Sequence, residues 1–263
     1  MTGLFCCILL YHEPGSWSTV KSCLDNTYIS IRPASGIFRD TIFYAERIMN
    51  IPFESSEFVM AAGGLSWHFS KPSNPDRLLD SLTEKQFEKD RFLPYWAELW
   101  PAAEVLFTFV AGRSFDRRLR ICDLGCGLGA VASYLCATGH RVTALDISPD
   151  ACVYARHNIL RYGSIARVAC IDWRSPPFKA SFDIVIAADI LYEQQCLCPV
   201  LHFLETCTTP QAQAFIADPR RAPWETFKAQ IQRRGFTVWA THSQAINGGR
   251  TVVEVVHLRK TYG

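Results

Sequence analysis

The sequence predicts an α/β fold: a doubly wound sheet of seven strands, mostly parallel, with one antiparallel strand. Three observations lead there. From Arg120 onward, short apolar runs of strand length alternate with helix-length patterns. The run Ile121-Cys122-Asp123-Leu124 breaks into a turn with glycine at every second position, Gly125, Gly127 and Gly129, and a helical pattern starts at once from Ala130. Near the end, Asn247-Gly248-Gly249 lies between two β-rich segments, a hairpin signal that reverses one strand of an otherwise parallel order.

The elements follow in order. Strands are expected at Arg120–Leu124, Arg141–Asp146, Ala166–Ile171, Phe182–Ala187, Ala214–Ala217, Phe236–Thr241 and Thr251–Leu258. Helices are expected at Ala102–Ala111, Ala130–Thr138, Pro149–Tyr162, Gln194–Thr206 and Pro223–Arg234. Between the third and fourth strands, Asp172-Trp173 followed by Ser175-Pro176-Pro177 reads as a loop. Upstream, Phe58–Phe69 reads as a hairpin around Gly63-Gly64, and Asn74 or Asp76 caps a helix over Arg77–Lys89. Residues 1–55 mix Ser, Pro, Gly and aromatics without sustained periodicity, apart from a short helical pattern at Asp40–Asn50. They read as a poorly ordered or atypical extension, or an over-long reading frame with later starts at Met49 and Met60. The division is then an extension at 1–55, a hairpin-and-helix segment at 56–112 that packs on the core, and a core at 113–263.

At 263 residues the chain can bury one substantial core, and 49% hydrophobic with 20% charged residues describes an ordinary globular protein. A net charge of +2 argues against a large polyphosphate-binding face. The basic residues are dispersed, and Arg117-Arg118 and Arg220-Arg221 read as solvated loop charges, so sequence-specific nucleic-acid reading is not expected. Eleven cysteines, odd in number and without paired C-x-x-C motifs, read as reduced thiols of a cytoplasmic protein rather than as disulfides or a metal site. His140, His157 and His202 show no ligand spacing. The apolar start lacks the basic region of a signal peptide, and no stretch has the length of a membrane span. A monomer is expected.

The glycine turn sits where open α/β sheets bind nucleotide-like ligands, at the carboxyl end of a strand and the amino end of a helix. Asp123, two residues before the first glycine, would repel a pyrophosphate but suits the cationic amino-acid end of a sulfonium cofactor. Asp146, closing the next strand, can accept hydrogen bonds from two ribose hydroxyls. These acids favour S-adenosyl-L-methionine. Spacing alone leaves a dinucleotide reading open, as G-x-G-x-x-A over Gly125, Gly127 and Ala130.

Asp123-x-Gly-x-Gly-x-Gly129, Asp146, Asp172-Trp173 and Asp189-Ile190-Leu191-Tyr192, with Leu93-Pro-Tyr-Trp96-Ala-Glu98-Leu-Trp-Pro101 ahead of the sheet, resemble class I methyltransferases. More narrowly, they resemble methyltransferase family 16, a seven-β-strand group rich in protein lysine methyltransferases. The resemblance covers about Met60 to Leu258. It implies a Rossmann-like fold, S-adenosyl-L-methionine as cofactor, methyl transfer to nitrogen and a protein as the substrate partner.

The resemblance also implies roles. Trp96 lies beside the cofactor, together with Asp123, Gly125, Cys126, Gly127, Gly129, Asp146 and Ala188. Asp172 accepts from the adenine amino group and Trp173 packs on the purine. Asp189 orients a substrate ammonium, and Tyr192 supplies a hydroxyl and an aromatic wall. Each residue has a structural alternative: Trp96 as a plug between helix and sheet, Glu98 as a helix-start acid, Trp173 as core, Asp189 as a helix cap with Tyr192 filling the adjoining gap.

Overall fold

The computed structural model describes residues 51–80, 94–115, 118–163 and 166–261, together with backbone strands at 8–11, 18–22 and 28–31. Those three strands, β1 (Ile8–Tyr11), β2 (Ser18–Ser22) and β3 (Tyr28–Ile31), form an antiparallel sheet that the sequence reading did not anticipate. The helical pattern at Asp40–Asn50 lies outside the described residues.

A hairpin follows, β4 (Ser55–Ala62) and β5 (Leu65–Pro72), closed by Ala62 opposite Leu65. Its two-residue turn needs positive φ at both positions, and Gly63 and Gly64 supply +61° and +74°. Helix α1 (Asp76–Asp80) begins under the cap of Asn74, whose Oδ1 accepts from Arg77 N at 3.3 Å. The remainder of the helix expected there, to Lys89, lies outside the described residues. A single 3-10 turn at Tyr95–Ala97 leads into α2 (Pro101–Ala111), with Pro101 at its first position.

The seven-stranded sheet is built from β6 (Arg120–Leu124), β7 (Arg141–Asp146), β8 (Arg167–Cys170), β9 (Phe182–Ala188), β10 (Thr208–Asp218), β11 (Phe236–Ile246) and β12 (Thr251–Lys260). Its order is β11-β12-β10-β9-β6-β7-β8. β12 runs antiparallel to both β10 and β11, and every other neighbouring pair is parallel. This is the predicted architecture, a Rossmann-like sheet with one reversed strand. The connecting helices are α3 (Ala130–Ala137), α4 (Pro149–Leu160), α5 (Leu197–Cys207) and α6 (Trp224–Gln232). Between β8 and β9 the chain is a loop, as expected.

Strand residues alternate between two cores because successive side chains point to opposite faces. Ile121, Ile184, Ile186, Val142 and Ala144 pack on one side with α2, α3 and the β4–β5 hairpin. Cys122, Leu124, Val185, Ala187 and Leu145 pack on the other with α5 and α6. With both faces covered, the central strands carry near-continuous apolar runs. Several polar side chains, among them Asp146, Asp189 and Asp218, gather at their carboxyl ends.

Candidate active site

At the end of β6 the glycine turn folds back on β7: Gly125 N and Cys126 N both donate to Leu145 O, at 2.8 and 2.9 Å. Gly129 stands at the N-cap of α3 with φ +73°, and a Cβ there would lie 2.8 Å from Ala155 Cα on α4. No other residue type fits both that conformation and that backbone approach. The turn is roofed by the segment before the sheet, since a Cβ on Gly127 would lie 3.4 Å from Trp96 O. The Trp96 ring lies 5.4 Å from that of Tyr154 and 6.5 Å from that of Phe53, so the ring plugs this corner while the Trp96 backbone borders the turn.

Two carboxylates lie beneath the turn. α3 has no side-chain cap of its own, and Asp123 supplies one from β6, its Oδ2 accepting from Ala132 N at 3.1 Å. Burial pushes this carboxyl up to about 7; the Ala132 N–H opposes the shift and the nearby charge of Asp146 adds to it. Asp146 Oδ2 accepts from Gly127 N and Oδ1 from Ser148 N, both at 2.9 Å. Burial also raises Asp146, against these hydrogen bonds. Each carboxylate oxygen offers two lone pairs, so Asp146 can still accept from a ligand hydroxyl.

A loop following β8 carries the predicted adenine residues. Asp172 holds Arg174 through both oxygens, with Nη2 to Oδ2 at 2.6 Å. Trp173 is buried, and its ring lies 3.7 Å from where a Gly125 Cβ would be. It packs with the α5–α6 core and borders the glycine turn at once. The buried Cys126 thiol is held well above its ordinary pKa by burial, then by Asp146 and Asp123, which keeps it uncharged.

Ala188 ends β9, paired with Ala217, and Asp189 follows with φ +57°. Asp tolerates this left-handed conformation better than most residues, and it turns the carboxylate away from the strand. The cap alternative is realised, though on a helix other than the following one: Asp189 Oδ2 accepts from Ala102 N of α2 at 3.0 Å. The N-cap of that helix is Trp100, which offers no side-chain oxygen. Asp189 Oδ1 is ion-paired with Arg221, whose Nη1 also reaches Asp218 Oδ2 at 3.2 Å.

The reading of Arg220-Arg221 as solvated loop charges is therefore corrected. Arg221 bridges two buried acids, and Arg220 Nε pairs with buried Glu254 at 3.1 Å. Both arginines follow β10, and adjacent strand ends bring Arg221 to Asp189 and Arg220 to Glu254 across more than thirty residues of sequence; no local spacing marks that. Burial raises Asp189 and Asp218, with Arg221 opposing both shifts.

Aromatic rings surround this second cluster. Tyr192 meets Tyr95 edge-on at 5.4 Å, Tyr95 meets Trp100 at 5.7 Å, and the Arg221 guanidinium lies 5.8 Å from the Trp100 ring. Burial holds the Tyr192 hydroxyl well above its ordinary pKa, so it stays protonated. The two clusters adjoin: a Cβ on Gly125 would lie 2.8 Å from Ile190 Cγ2, next to Asp189. The residues predicted for the cofactor and those predicted for transfer thus share one carboxyl edge.

A sulfonium cofactor with an amino-acid end fits this donor set. Asp123 is a buried carboxyl with one backbone partner among the described residues, beside a second acid and under a turn whose glycines admit close backbone approach. A cation there offsets the desolvation that burial imposes.

Residues 121–196 match the family model described as "Methyltransferase domain". The chain is 28% identical over 148 residues to EEF1A lysine methyltransferase 3 of Mus musculus, covering 53% of this chain and 63% of that protein. It is 25% identical over 121 residues to a ubiquinone biosynthesis O-methyltransferase of Xanthomonas axonopodis pv. citri, covering 45% and 51% respectively. The chain thus spans between half and two thirds of the length of these relatives. Among solved structures, it shares its fold with the N-methyltransferase NodS from Bradyrhizobium japonicum in complex with S-adenosyl-L-homocysteine. That likeness has TM-score 0.53 and 18% identity, over 72% of this chain and 99% of NodS. The [4+2]-cyclase SpnF shares the fold at TM-score 0.52 and 16% identity, over 62% of this chain and 82% of SpnF. Residues 121–196 thus match a methyltransferase domain, and the sheet around them has the Rossmann-like fold that these solved structures share.

Proposed function

We propose that this chain transfers a methyl group from S-adenosyl-L-methionine to the side-chain nitrogen of a protein lysine. The observation that carries the reading is the placement of Asp189 in a left-handed turn beside the glycine turn, among Tyr95, Trp100 and Tyr192. The similarity to EEF1A lysine methyltransferase 3 supports the acceptor class. The dinucleotide alternative finds no support in the methyltransferase match over residues 121–196.

When bound, the cofactor supplies an activated methyl group on a sulfonium, so neither a metal nor a covalent enzyme intermediate is required. The chain's residues bind, align and exclude water. Asp123 would hold the cationic amino-acid end, Asp146 the ribose hydroxyls, and Trp96 and Trp173 would border the cofactor, with Cys126 and Ala188 lining the cleft. The pairing of Asp172 with Arg174 puts its adenine role second to Trp173. Asp189 and Asp218 with one arginine leave a net negative charge at the transfer point, which attracts an ammonium, and aromatic faces receive its methylene stem. Releasing the lysine proton costs about 4 kcal/mol near neutral pH, and Asp189 favours the protonated form, so it serves capture and alignment while the proton leaves to water before attack.

The second reading, a small-molecule acceptor, is favoured by the similarity to the ubiquinone biosynthesis O-methyltransferase. Incubating the purified chain with tritiated S-adenosylmethionine and a desalted lysate separates the two. Label in a discrete protein band supports a protein acceptor; label confined to the small-molecule fraction supports the second reading; cofactor binding without any transfer marks a non-catalytic protein.

A further inference from the structure

Arg221 is built into the edge of the sheet. Its N–H donates to Asp218 Oδ1 at 2.7 Å, its carbonyl accepts from Trp224 N at 2.9 Å, and its guanidinium joins Asp189 to Asp218. The preceding residue, Arg220, takes φ +62° and is anchored on Glu254, which also holds Trp224 Nε1 at 3.1 Å and Lys228 Nζ at 2.9 Å. That anchoring fixes the loop before α6 on β12. The side chain of Arg221 is 24% exposed and that of Asp189 7%, so the guanidinium is the more open member of the pair.

Among the described residues, the charged side chains facing Asp189 are Arg221 and Asp218. From α2 come the Ala102 N–H and the Trp100 ring that flanks the guanidinium. Without Arg221, Asp189 would face a second buried acid with one N–H to hold its charge. Like charges in a desolvated site favour protonation of one of them. A protonated Asp189 neither attracts an ammonium nor keeps its aim, which is set by Arg221 Nη1 on Oδ1 and Ala102 N on Oδ2.

We propose that Arg221 is a positioning residue of the acceptor site, holding Asp189 ionised and aimed at the place where the methyl group is handed over. This rests on the assignment of Asp189 to acceptor capture. A guanidinium that merely occupied the acceptor's place would instead inhibit, and its removal would speed transfer.

The test compares wild type, R221Q and R221K in transfer of tritium from S-adenosylmethionine to a desalted lysate between pH 7 and 9.5. Affinity for S-adenosylhomocysteine is measured alongside by calorimetry. The ratio of variant to wild-type rate cancels the acceptor amine's own titration. R221Q should bind S-adenosylhomocysteine within about threefold of wild type, transfer about tenfold more slowly at pH 7, and recover to within about threefold at pH 9.5, where Asp189 is ionised without help. R221K, which keeps a positive charge beside Asp189, should follow the wild-type pH dependence. A deficit independent of pH, or transfer faster than wild type, overturns the inference and leaves the proposed function standing. Where R221Q loses S-adenosylhomocysteine binding, R221K decides: a deficit relative to wild type that shrinks between pH 7 and pH 9.5, although the charge is kept, overturns it. Wild type that binds S-adenosylhomocysteine and labels nothing overturns the proposed function, and the inference with it.

Discussion

Asn158 pairs with the backbone of Ser70 as a neighbouring strand would. Its Oδ1 accepts from Ser70 N at 2.8 Å and its Nδ2 donates to Ser70 O at 2.9 Å, with a further bond to Leu128 O at 2.9 Å. One fully buried amide on α4 thus ties the β4–β5 hairpin to the end of the glycine turn. Asn158→Ala strands three buried backbone groups, each worth about 1–3 kcal/mol, so a loss of about 4 kcal/mol is expected. Urea unfolding at neutral pH measures it, and a loss below 1 kcal/mol would show that the hairpin is tied elsewhere.

Gly129 and Gly127 separate backbone conformation from backbone contact. Both take positive φ, which costs an alanine about 1–2 kcal/mol. At Gly129 the added carbon also meets Ala155 Cα at 2.8 Å, whereas at Gly127 its closest neighbour is Trp96 O at 3.4 Å. Gly129→Ala should therefore lower stability by more than about 3 kcal/mol, and Gly127→Ala by about half of that. Equal thermal shifts for the two variants would contradict the close packing of α3 on α4.

Asp123 links folding, cofactor binding and pH. Its folded-state pKa of about 7 lies above the ordinary value of 3.8, so the folded chain binds this proton more tightly than the unfolded chain. Stability falls as pH rises from about 4 to about 7, by about 4 kcal/mol if this group acts alone. Asp123→Asn keeps an acceptor for Ala132 N and removes the charge, so it should unfold at higher temperature than wild type at pH 8 and at a similar temperature at pH 4.5. The same substitution should abolish affinity for S-adenosylhomocysteine. In wild type that affinity should climb with pH up to about 7, by about tenfold per unit where one proton must leave.

His257 acts with the opposite sign. Burial, then Arg113 and Arg259, lower its pKa to about 4, and its ring bonds Gln213 Oε1 at 2.7 Å. The unfolded chain then binds this proton more tightly, and stability falls as pH drops from about 6.5 to about 4. His257→Gln should flatten that limb in a pH series of thermal melts; an unchanged limb would remove His257 as its source.

Much of this was legible in residue order. β6 and β7 start and end where the apolar runs predicted, because both are buried on two faces and begin at an arginine, β6 stopping before the glycine turn and β7 at Asp146. β10 starts before and β11 ends after the predicted spans, since Thr208-Thr209-Pro210-Gln211 and His242-Ser243-Gln244 are polar. Thr208 pairs with Phe182 of β9 ahead of a register shift, and residues 242–246 pair along β12. The glycines and the two acids under them were readable because a turn, a cap and a strand end are local. The partners that give Asp189 its setting were not: Ala102 is a backbone donor on a distant helix, and Arg221 arrives from another strand end. Asn158 falls within the helix expected at Pro149–Tyr162, and only the hairpin packed against it reveals its use.

The central claim is that S-adenosylmethionine lies across the carboxyl edge of the sheet, held by Asp123 and the glycine turn. Calorimetric titration of the purified chain with S-adenosylhomocysteine at pH 8 tests it most directly. The account predicts saturable one-to-one binding that is lost in Asp123→Asn; a flat titration of wild type with a native circular dichroism spectrum would contradict it.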